Sequence, residues 1–321
     1  MPKSLSCAII GAGSIGGLID SPNSENIASH AHAFFKHPNC KLVAICEPNS
    51  ANQNAFVGRW GEMGIYHSFD SLLQYETIDL LAIASPTPFH AKTLEEALHV
   101  KSLQAIMCEK PLVATAKELA HIKPLLLSSD KKILIHLMRQ YDPSFIKLSH
   151  AITAQKWGKA VRFQGVFTKG LLHNGIHMLA LLSHLFGEIQ NIKSLHVTHH
   201  HHDDISGDFD VTCKHARGVL SCMEDLPYSA FELTIWFENG KVEIKEGGSR
   251  IDTFIKKPSP LYEGYFTLEH EETLPNTLKY YTLHSLEFLL QNDDITCKQI
   301  LQEHLDVHAK IFETIEKEKQ Q

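Results

Sequence analysis

Short apolar runs alternate with amphipathic segments over residues 1–140. Helical periodicity predicts helices over Ala51–Trp60, Ala91–His99 and Ala114–Leu127, and Pro124 is expected to kink or end the last of them. The apolar runs have the length of buried strands and occupy Ser4–Ile10, Leu42–Cys46, Asp79–Ser85, Gln104–Cys108 and Lys132–Leu137. This alternation predicts an α/β domain over residues 1–140, built on a parallel, doubly wound sheet.

The pattern changes to short, partly alternating strands from Ala160 onward. The segments FQGVF, FDVTC, FELTIWF and KVEIK have no long helical patterns between them, which predicts a largely antiparallel sheet. Asn239-Gly240 separates the last two segments, and its tolerance of positive φ predicts a hairpin. Helices are expected over Ile176–Phe186 and Lys298–Lys317. Residues 141–321 are therefore predicted to form a second domain of the α+β class.

Composition narrows the class of protein. A length of 321 residues suits two domains, and a hydrophobic content of 43% with 21% charged residues is typical of packed globular chains. The net charge of −7 disfavours a nucleic-acid partner, and no apolar run reaches the length of about 18 residues that a membrane span needs. The seven cysteines form no CxxC pair, which favours a reducing, cytoplasmic location. A small-molecule substrate is the partner class that remains.

The segment GAGSIGG directly follows the first predicted strand. It places Gly11, Gly13 and Gly16 in the GxGxxG pattern of a Rossmann dinucleotide-binding turn, with Ser14 and Ile15 between them. The first glycine permits a tight turn, and the second lets the backbone approach a pyrophosphate. The third permits close packing of the following helix, whose N-terminus is expected to attract the phosphates. A glycine-rich turn without a ligand is the alternative.

Glu47 ends the second predicted strand and indicates which dinucleotide binds. A carboxylate there can accept hydrogen bonds from both ribose hydroxyls of the adenosine half and would repel a 2′-phosphate, so NAD is favoured over NADP. Glu47 lies farther from the glycines than the usual spacing of about 20 residues. We expect an inserted loop formed by LIDSPNSENIAS, with the helix resuming near His30. A solvated carboxylate at a strand end is the alternative.

The run CEKP at residues 108–111 closes the fifth predicted strand, at the sheet edge where doubly wound folds bind ligands. Together with GAGSIGG, ASPTPFH and GLLHNGIH, it resembles the Gfo/Idh/MocA (glucose-fructose oxidoreductase and inositol dehydrogenase) family over nearly the whole chain. The resemblance implies that Lys110 orients the reacting hydroxyl beside the nicotinamide and that the Lys110–Pro111 bond is cis. It also implies a group of residues that help to hold the cofactor, namely Pro86, Thr87, His90 and Glu109. An ammonium in a dry site would stabilise a developing alkoxide, and a solvated surface lysine is the alternative.

The segment HNGIH at residues 173–177 resembles the DxGxH signature of the same family. The resemblance implies that His177 is the catalytic base that accepts the substrate proton, a task that suits a side chain whose unperturbed pKa is about 6.5. His173 stands where the family has an aspartate, so its catalytic role is open, and Asn174 is a second candidate for the contact to substrate. Arg139 is expected either to contact the substrate or to form a structural salt bridge.

The histidines also raise the question of a metal. His173 and His177 share one helix face, but HNGIH lacks the glutamate of HExxH and no third ligand has a recognisable spacing, so no metal site is predicted. The run His199–His202, with Asp203 and Asp204, is expected to be an exposed strand end or loop that binds metal only adventitiously.

Four features occur along the sequence in the order that one dehydrogenase mechanism requires: the glycine-rich turn, Glu47, Lys110 and His177. They predict an NAD-dependent dehydrogenase that transfers a hydride between nicotinamide and a carbinol carbon of a sugar, cyclitol or nucleotide sugar. A non-catalytic NAD- and sugar-binding regulatory protein of the same fold is the main alternative, supported by His173, and a metal-dependent lyase or hydrolase is the third. The outer face of the antiparallel sheet and the family resemblance predict a homodimer or homotetramer.

Overall fold

Contacts within the structure, a computed structural model that describes residues 4–320, divide the chain into two units. The first comprises the residues up to Met138 together with Lys279–Leu305, and the second comprises Arg139–Leu278 together with the residues from Asp306 onward. The segment Lys279–Leu305 therefore packs with the first unit, although we expected it in the second domain. One contact that holds this segment against the first unit joins it to the inserted loop: the Thr282 hydroxyl donates a hydrogen bond of 2.9 Å to the Ala28 carbonyl.

A six-stranded parallel sheet forms the core of the first unit. In chain order, its strands are β1 (Leu5–Ile10), β2 (Cys40–Cys46), β3 (Gly64–Tyr66), β4 (Leu80–Ile83), β5 (Ala105–Cys108) and β6 (Lys132–Ile135). Their order across the sheet is β3-β2-β1-β4-β5-β6, the Rossmann arrangement, which confirms the predicted fold. Every residue of β4 and β5 is buried, as expected of parallel strands covered on both faces. We did not predict β3, because its three residues form no apolar run.

Helices flank the strands of this unit. They are α1 (His30–Lys36), α2 (Ser50–Trp60), α3 (Phe69–Tyr75), α4 (His90–Leu98), α5 (Ala116–Ser128) and, from the later segment, α8 (Tyr281–Gln291). Pro124 lies inside α5 and does not end it. A proline removes the N–H that would bond to the carbonyl four residues earlier, here that of Ala120. Both residues are exposed, so water can satisfy that carbonyl.

An eight-stranded sheet forms the second unit and confirms the predicted antiparallel pattern. Its strands are β7 (Ala160–Phe167), β8 (Ile189–His200), β9 (Ile205–Cys213), β10 (Arg217–Cys222), β11 (Phe231–Phe237), β12 (Gly240–Lys245), β13 (Arg250–Pro258) and β14 (Phe266–Leu274). The order is β14-β13-β12-β11-β7-β10-β9-β8, and β7 and β10 form the one parallel pair among the described strands of this second sheet. The predicted hairpin at Asn239-Gly240 joins β11 to β12.

The second unit also contains α6 (Pro143–Thr153) and α7 (Ile176–Phe186), and α9 (Asp294–Lys319) contributes residues to both units. Nearly every residue of α7 is buried, because α6, β8 and β9 all pack against it. Neither α9 nor any other helix within residues 4–320 is long and apolar enough to cross a membrane. All seven cysteines are free thiols.

Burial of His184 in α7 predicts a pH dependence of stability. Burial, with a smaller contribution from His150, lowers the pKa of His184 from 6.5 to about 4. Between pH 6.5 and pH 4, His184 is therefore protonated in the unfolded chain and neutral in the folded chain. The free energy of unfolding is consequently highest above pH 6.5 and falls as the pH drops towards 4. For this residue, we expect a loss of up to about 2 kcal/mol in the free energy of unfolding between pH 7 and pH 5.

Urea denaturation at a series of pH values would measure this loss. His184→Leu should remove that part of the pH dependence, whereas the matched change at an exposed position of the same unit, His215→Leu, should leave it in place. An unchanged slope in His184→Leu would show that His184 does not contribute.

Candidate active site

The glycine-rich turn after β1 contains two glycines that the fold requires and one that faces open space. Gly11 has φ +95°, and a Cβ there would lie 2.6 Å from backbone atoms of Ala84 and Ser85. A Cβ on Gly16 would lie 2.0 Å from the Gly11 carbonyl oxygen. At Gly13, in contrast, a Cβ would meet no atom within 4 Å. The space beside Gly13 is therefore where the backbone can approach a ligand closely.

A single π-helical turn, Ser14–Leu18, directly follows the glycine-rich turn and ends at the inserted loop. That its N-terminus attracts the phosphates stays a prediction. The inserted loop then turns on the buried Asp20 carboxylate, which accepts hydrogen bonds from the N–H groups of Ala28 (2.7 Å) and Ser29 (2.9 Å). The helix resumes at His30, as predicted.

Glu47, at the end of β2, is buried, with 7% of its surface exposed. The Ala12 N–H donates to its Oε2 (2.9 Å), and the Asn49 N–H donates to its Oε1 (2.9 Å). Asn49 in turn caps α2, because its side-chain oxygen accepts from the N–H groups of Ala51 and Asn52. The carboxylate is thus held between the glycine-rich turn and the start of α2, not solvated at a strand end.

A cavity of about 850 Å³ opens at the carboxyl ends of β1, β2, β4 and β5, where doubly wound sheets bind ligands. It brings together nearly all of the residues predicted for the cofactor, and Lys110: Gly11, Gly13, Ser14, Ile15, Glu47, Pro86, Thr87, His90, Glu109 and Lys110. Gly16 lies behind the turn and does not line it. Asn49, Asn52, Phe69 and Ser85 also line the cavity, and sequence reasoning missed them.

His90, which lines this cavity, joins two loops through its ring nitrogens. It is 1% exposed, and its ring nitrogens face the Ser85 carbonyl (Nε2, 2.7 Å) and the Pro111 carbonyl (Nδ1, 3.0 Å). The Lys110–Pro111 peptide bond is cis, as the family resemblance implied. His90 thus joins the segment after β4 to the segment that carries Lys110.

Glu109 is held by two histidines that the sequence did not single out. Its Oε1 lies 2.9 Å from His30 Nε2 and 2.7 Å from His136 Nδ1. Burial alone would raise the pKa of Glu109, but His136 and His30 together hold it well below its ordinary value. Burial lowers the pKa of His30, which is fully buried. An ionised carboxylate between two imidazole N–H donors fits these contacts.

Metal sites bring several ligand atoms close together. Within residues 4–320, these three side chains are the one group of three or more His, Cys, Asp or Glu residues whose potential ligand atoms all lie within 4.8 Å of one another. Ligand atoms around a tetrahedral zinc ion, with bonds of about 2.0–2.2 Å, are roughly 3.3–3.5 Å apart. The observed separations of 2.7 and 2.9 Å are hydrogen-bond lengths. We therefore interpret the group as a hydrogen-bonded clamp on Glu109.

The second unit carries the HNGIH segment on an irregular turn, Leu171–Gly175, that leads into α7. His177 is buried near the start of α7, Asn174 is half-buried, and the side chain of His173 is 58% exposed. His173 faces a carboxylate that comes from elsewhere in the sequence, because its Nδ1 lies 2.9 Å from Asp204 Oδ2.

Asp204 corrects our expectation for the histidine-rich run. His200, His201 and His202 are exposed at the end of β8 and in the turn to β9, as expected. Asp204, however, is only 2% exposed, because its carboxylate accepts hydrogen bonds from backbone N–H groups, among them those of Leu172 (2.8 Å) and Ile205 (2.8 Å). Sequence patterns gave no signal for this, since the contact joins residues more than 30 positions apart.

Arg139 packs inside the second unit. Its guanidinium lies 3.5 Å from the centre of the Phe231 ring, and its Nη2 donates to the Gly247 carbonyl (2.6 Å). It is 6% exposed. These contacts hold Arg139 in place, and both the salt bridge and the contact to substrate that we weighed for it stay predictions.

Known proteins resemble this chain in sequence and in fold. Residues 5–136 match the model of the GFO_IDH_MocA oxidoreductase family, NAD-binding Rossmann fold. Inositol 2-dehydrogenase from Rubrobacter xylanophilus is 26% identical over 173 residues, which are 54% of this chain and 46% of that protein. The match thus spans less than half the length of that relative.

Solved structures extend the likeness in fold to the second unit. The WlbA dehydrogenase from Bordetella pertussis, in complex with NADH and UDP-GlcNAcA, is 16% identical with a TM-score of 0.75 and covers 99% of this chain and 97% of its own. A 3-ketoreductase from Actinomadura kijaniata, in complex with NADP, is 14% identical with a TM-score of 0.74, and the match covers 98% of this chain and 97% of that one. The match to the Gfo/Idh/MocA oxidoreductase family model itself is confined to residues 5–136, which carry the glycine-rich turn and the CEKP run.

Proposed function

We propose that this chain is an NAD-dependent oxidoreductase that transfers a hydride between nicotinamide and a carbinol carbon of a sugar, cyclitol or nucleotide sugar. The observation that carries the proposal is the cavity in the first unit, which joins the glycine-rich turn, Glu47 and Lys110. Its volume of about 850 Å³ lies in the range of small-molecule and cofactor sites. Inositol and UDP-GlcNAcA, the first in the name of one similar protein and the second bound in the structure of another, are rich in hydroxyl groups, and a ketoreductase forms a hydroxyl group from a ketone, which supports this substrate class.

The residues around the cavity fit a dinucleotide. The open space beside Gly13 admits a pyrophosphate, and the buried Ser85 hydroxyl, which lines the cavity, has no hydrogen-bond partner among residues 4–320. Such an atom costs about 1–3 kcal/mol unless a ligand satisfies it. Gly11, Gly13, Ser14, Ile15, Glu47, Ser85, Pro86 and Thr87 would hold the cofactor.

The charges near Glu47 support NAD rather than NADP. No lysine or arginine occurs between Glu47 and Arg59, and the Arg59 guanidinium donates to the carbonyls of Leu18 and Asp20 instead of facing the cavity. Lys92 lines the cavity, but it pairs with Glu96 at 3.6 Å and its side chain is 82% exposed. A 2′-phosphate would therefore meet a carboxylate without a dedicated cation.

The protein residues divide the chemistry between them. Bound NAD would supply the hydride acceptor at nicotinamide C4. Lys110 is assigned to orient the reacting hydroxyl and to stabilise the developing alkoxide, and His177 to accept the hydroxyl proton as the carbonyl forms. In the reverse direction, His177 would return the proton. Asn174 and Arg139 stay candidates for contacts to the rest of the substrate.

A regulatory protein without catalysis is the alternative that His173 favours, because the signature lacks its usual aspartate. The buried Asp204 beside His173 weakens this argument, since a carboxylate is present at the segment after all. Formation of NADH that depends on an added sugar would separate the two functions.

We further propose that the outer face of the eight-stranded sheet forms a homodimer or homotetramer interface. One row of directly paired residues crosses this face from β7 to β14, namely Arg162, Trp236, Lys241, Phe254 and His270. Trp236 on this row is 38% exposed, and aromatic side chains are enriched in protein interfaces. Light scattering at micromolar concentration should give at least a dimer, and a monomer would contradict this proposal.

The glycines of the turn should respond in opposite ways to the addition of one methyl group. Gly13→Ala should leave the melting temperature nearly unchanged, because its φ is −81° and the space is open, but it should weaken NAD binding. Gly11→Ala should destabilise the fold by about 1–3 kcal/mol, because its φ is +95° and the methyl group meets backbone. Thermal melts and NAD titrations of both variants test this, and unimpaired NAD binding by Gly13→Ala would place the pyrophosphate elsewhere.

Glu47 should set the choice of cofactor. We expect NAD(H) to bind at least about 10-fold more tightly than NADP(H), which corresponds to 1.4 kcal/mol. Glu47→Gln should narrow this ratio, whereas Glu96→Gln, which changes another carboxylate of the same cavity, should not. Quenching of tryptophan fluorescence can report binding, since Trp60 Nε1 donates to the Gly17 carbonyl beside the turn. Equal affinities in the unmodified chain would show that Glu47 does not face the ribose.

Lys110 and His177 should matter for turnover and not for cofactor binding. Loss of a positioned proton acceptor costs about 10²- to 10⁴-fold in rate, so Lys110→Ala and His177→Ala should lose most NADH formation with any sugar, cyclitol or nucleotide sugar found by screening. Both variants should still bind NAD. Lys92→Ala, the matched change of a lysine in the same cavity, should keep its turnover. Full turnover by the Lys110 and His177 variants would refute the mechanism.

A further inference from the structure

The signature segment of this chain pairs an imidazole with a carboxylate from a different element. His173 occupies the position at which related signatures carry an aspartate, and Asp204, in the turn between β8 and β9, reaches it from 31 residues away. The backbone N–H of His173 donates to Asp204 Oδ2 (3.0 Å), and the same oxygen lies 2.9 Å from the ring nitrogen Nδ1 of His173. The side chains differ sharply in exposure, at 58% for His173 and 3% for Asp204.

The turn is built around the Asp204 carboxylate. Its Oδ1 accepts from the N–H groups of Leu172 and Ile205, both at 2.8 Å, so each carboxylate oxygen has two donors. Gly170 makes room for it, because a Cβ there would lie 2.1 Å from Asp204 Oδ2, and Gly170 has φ +76°. The carboxylate is therefore fixed in place, and only the imidazole of His173 extends from it towards the surface.

This contact decides which nitrogen of His173 carries the proton. An ionised carboxylate only accepts hydrogen bonds, so Nδ1 must be the N–H nitrogen. In the neutral ring, Nε2 is then the nitrogen with a lone pair. A carboxylate that holds one nitrogen of an imidazole fixes both the tautomer and the ring orientation, as in catalytic triads.

We propose that Asp204 is a positioning residue that holds His173 in the Nδ1–H tautomer, so that His173 Nε2 accepts a hydrogen bond from a hydroxyl group of the substrate. This inference rests on the proposed function. The Asp204–His173 pair thereby replaces the aspartate that the signature lacks. Asp204 supplies the negative charge, and His173 supplies the hydrogen-bond contact to the substrate. The ligand class that such an acceptor recognises is a polyhydroxylated one, since each hydroxyl group can donate one hydrogen bond.

A purely structural Asp204 would hold the turn through its backbone contacts and leave the ring of His173 without a role. The tautomer distinguishes the two possibilities without any turnover. In a long-range ¹H–¹⁵N spectrum of the ¹⁵N-labelled chain at pH 8, the His173 signals can be assigned by their absence from His173→Gln. We expect the Nδ1–H tautomer in the unmodified chain. In Asp204→Ala, no side-chain oxygen is left to accept from Nδ1–H, so the Nδ1–H form should lose its dominance.

Asp203→Ala is the matched control, because Asp203 is the adjacent aspartate and pairs with the exposed His202 at 2.8 Å. It should leave the His173 signals unchanged. An Nε2–H tautomer in the unmodified chain, or a dominant Nδ1–H tautomer in Asp204→Ala, would overturn the inference. Because these signals need no substrate, an inactive protein would refute the proposed function and still leave this inference open to test.

Kinetics provide the second readout. With a substrate from the screen, His173→Gln and Asp204→Ala should each lower kcat/KM by about 10²-fold. The double variant should be no worse than either single one, because Asp204 acts through His173. His173→Gln keeps the backbone contacts of Asp204, so it stays informative if Asp204→Ala folds poorly. Unchanged kcat/KM in His173→Gln, or additive losses in the double variant, would overturn the inference.

Discussion

One carboxylate oxygen, Glu109 Oε1, connects the segments on which the candidate chemistry of the first unit depends. It binds His30 at the start of α1 and His136 after β6, while Glu109 itself follows β5. Lys110 is the next residue, so the clamp fixes the backbone from which the lysine side chain departs. His90 extends the same network, because it joins the carbonyls of Ser85 and Pro111. A buried, ionised group that accepts two strong hydrogen bonds is costly to break, which explains how loops at a sheet edge can hold a precise arrangement.

Much of the fold was open to prediction from the sequence, because its strongest signals are local. The strands β1, β2, β4, β5 and β6 are continuous apolar runs, and the glycine pattern after β1 and the Asn239-Gly240 hairpin depend on residues adjacent in sequence. The cofactor side of the site was predictable for the same reason, since parallel strands bring their carboxyl ends to one edge. Glu47 and Lys110 line one cavity although more than 60 residues separate them.

The parts that sequence reasoning missed depend on contacts between distant residues. His30, His136 and Asp204 each act through a hydrogen bond to a residue at least 27 positions away, and 22 histidines in the chain give no indication of which ones matter. The return of α8 to the first unit was missed because amphipathic helices do not reveal which core they cover. Asp204 is the instructive case, since a run of polar residues indicated an exposed loop, whereas four hydrogen-bond donors bury one carboxylate within it.

We propose above all that the cavity of the first unit binds NAD, with its pyrophosphate over Gly13 and its adenosine ribose on Glu47. A crystal structure of the chain with NAD tests this claim most directly. We predict that the pyrophosphate contacts the backbone at Gly13 and Ser14, and that a Glu47 carboxylate oxygen lies within about 3.2 Å of a ribose hydroxyl. NAD bound outside this cavity, or bound with Glu47 turned away from the ribose, would contradict the account.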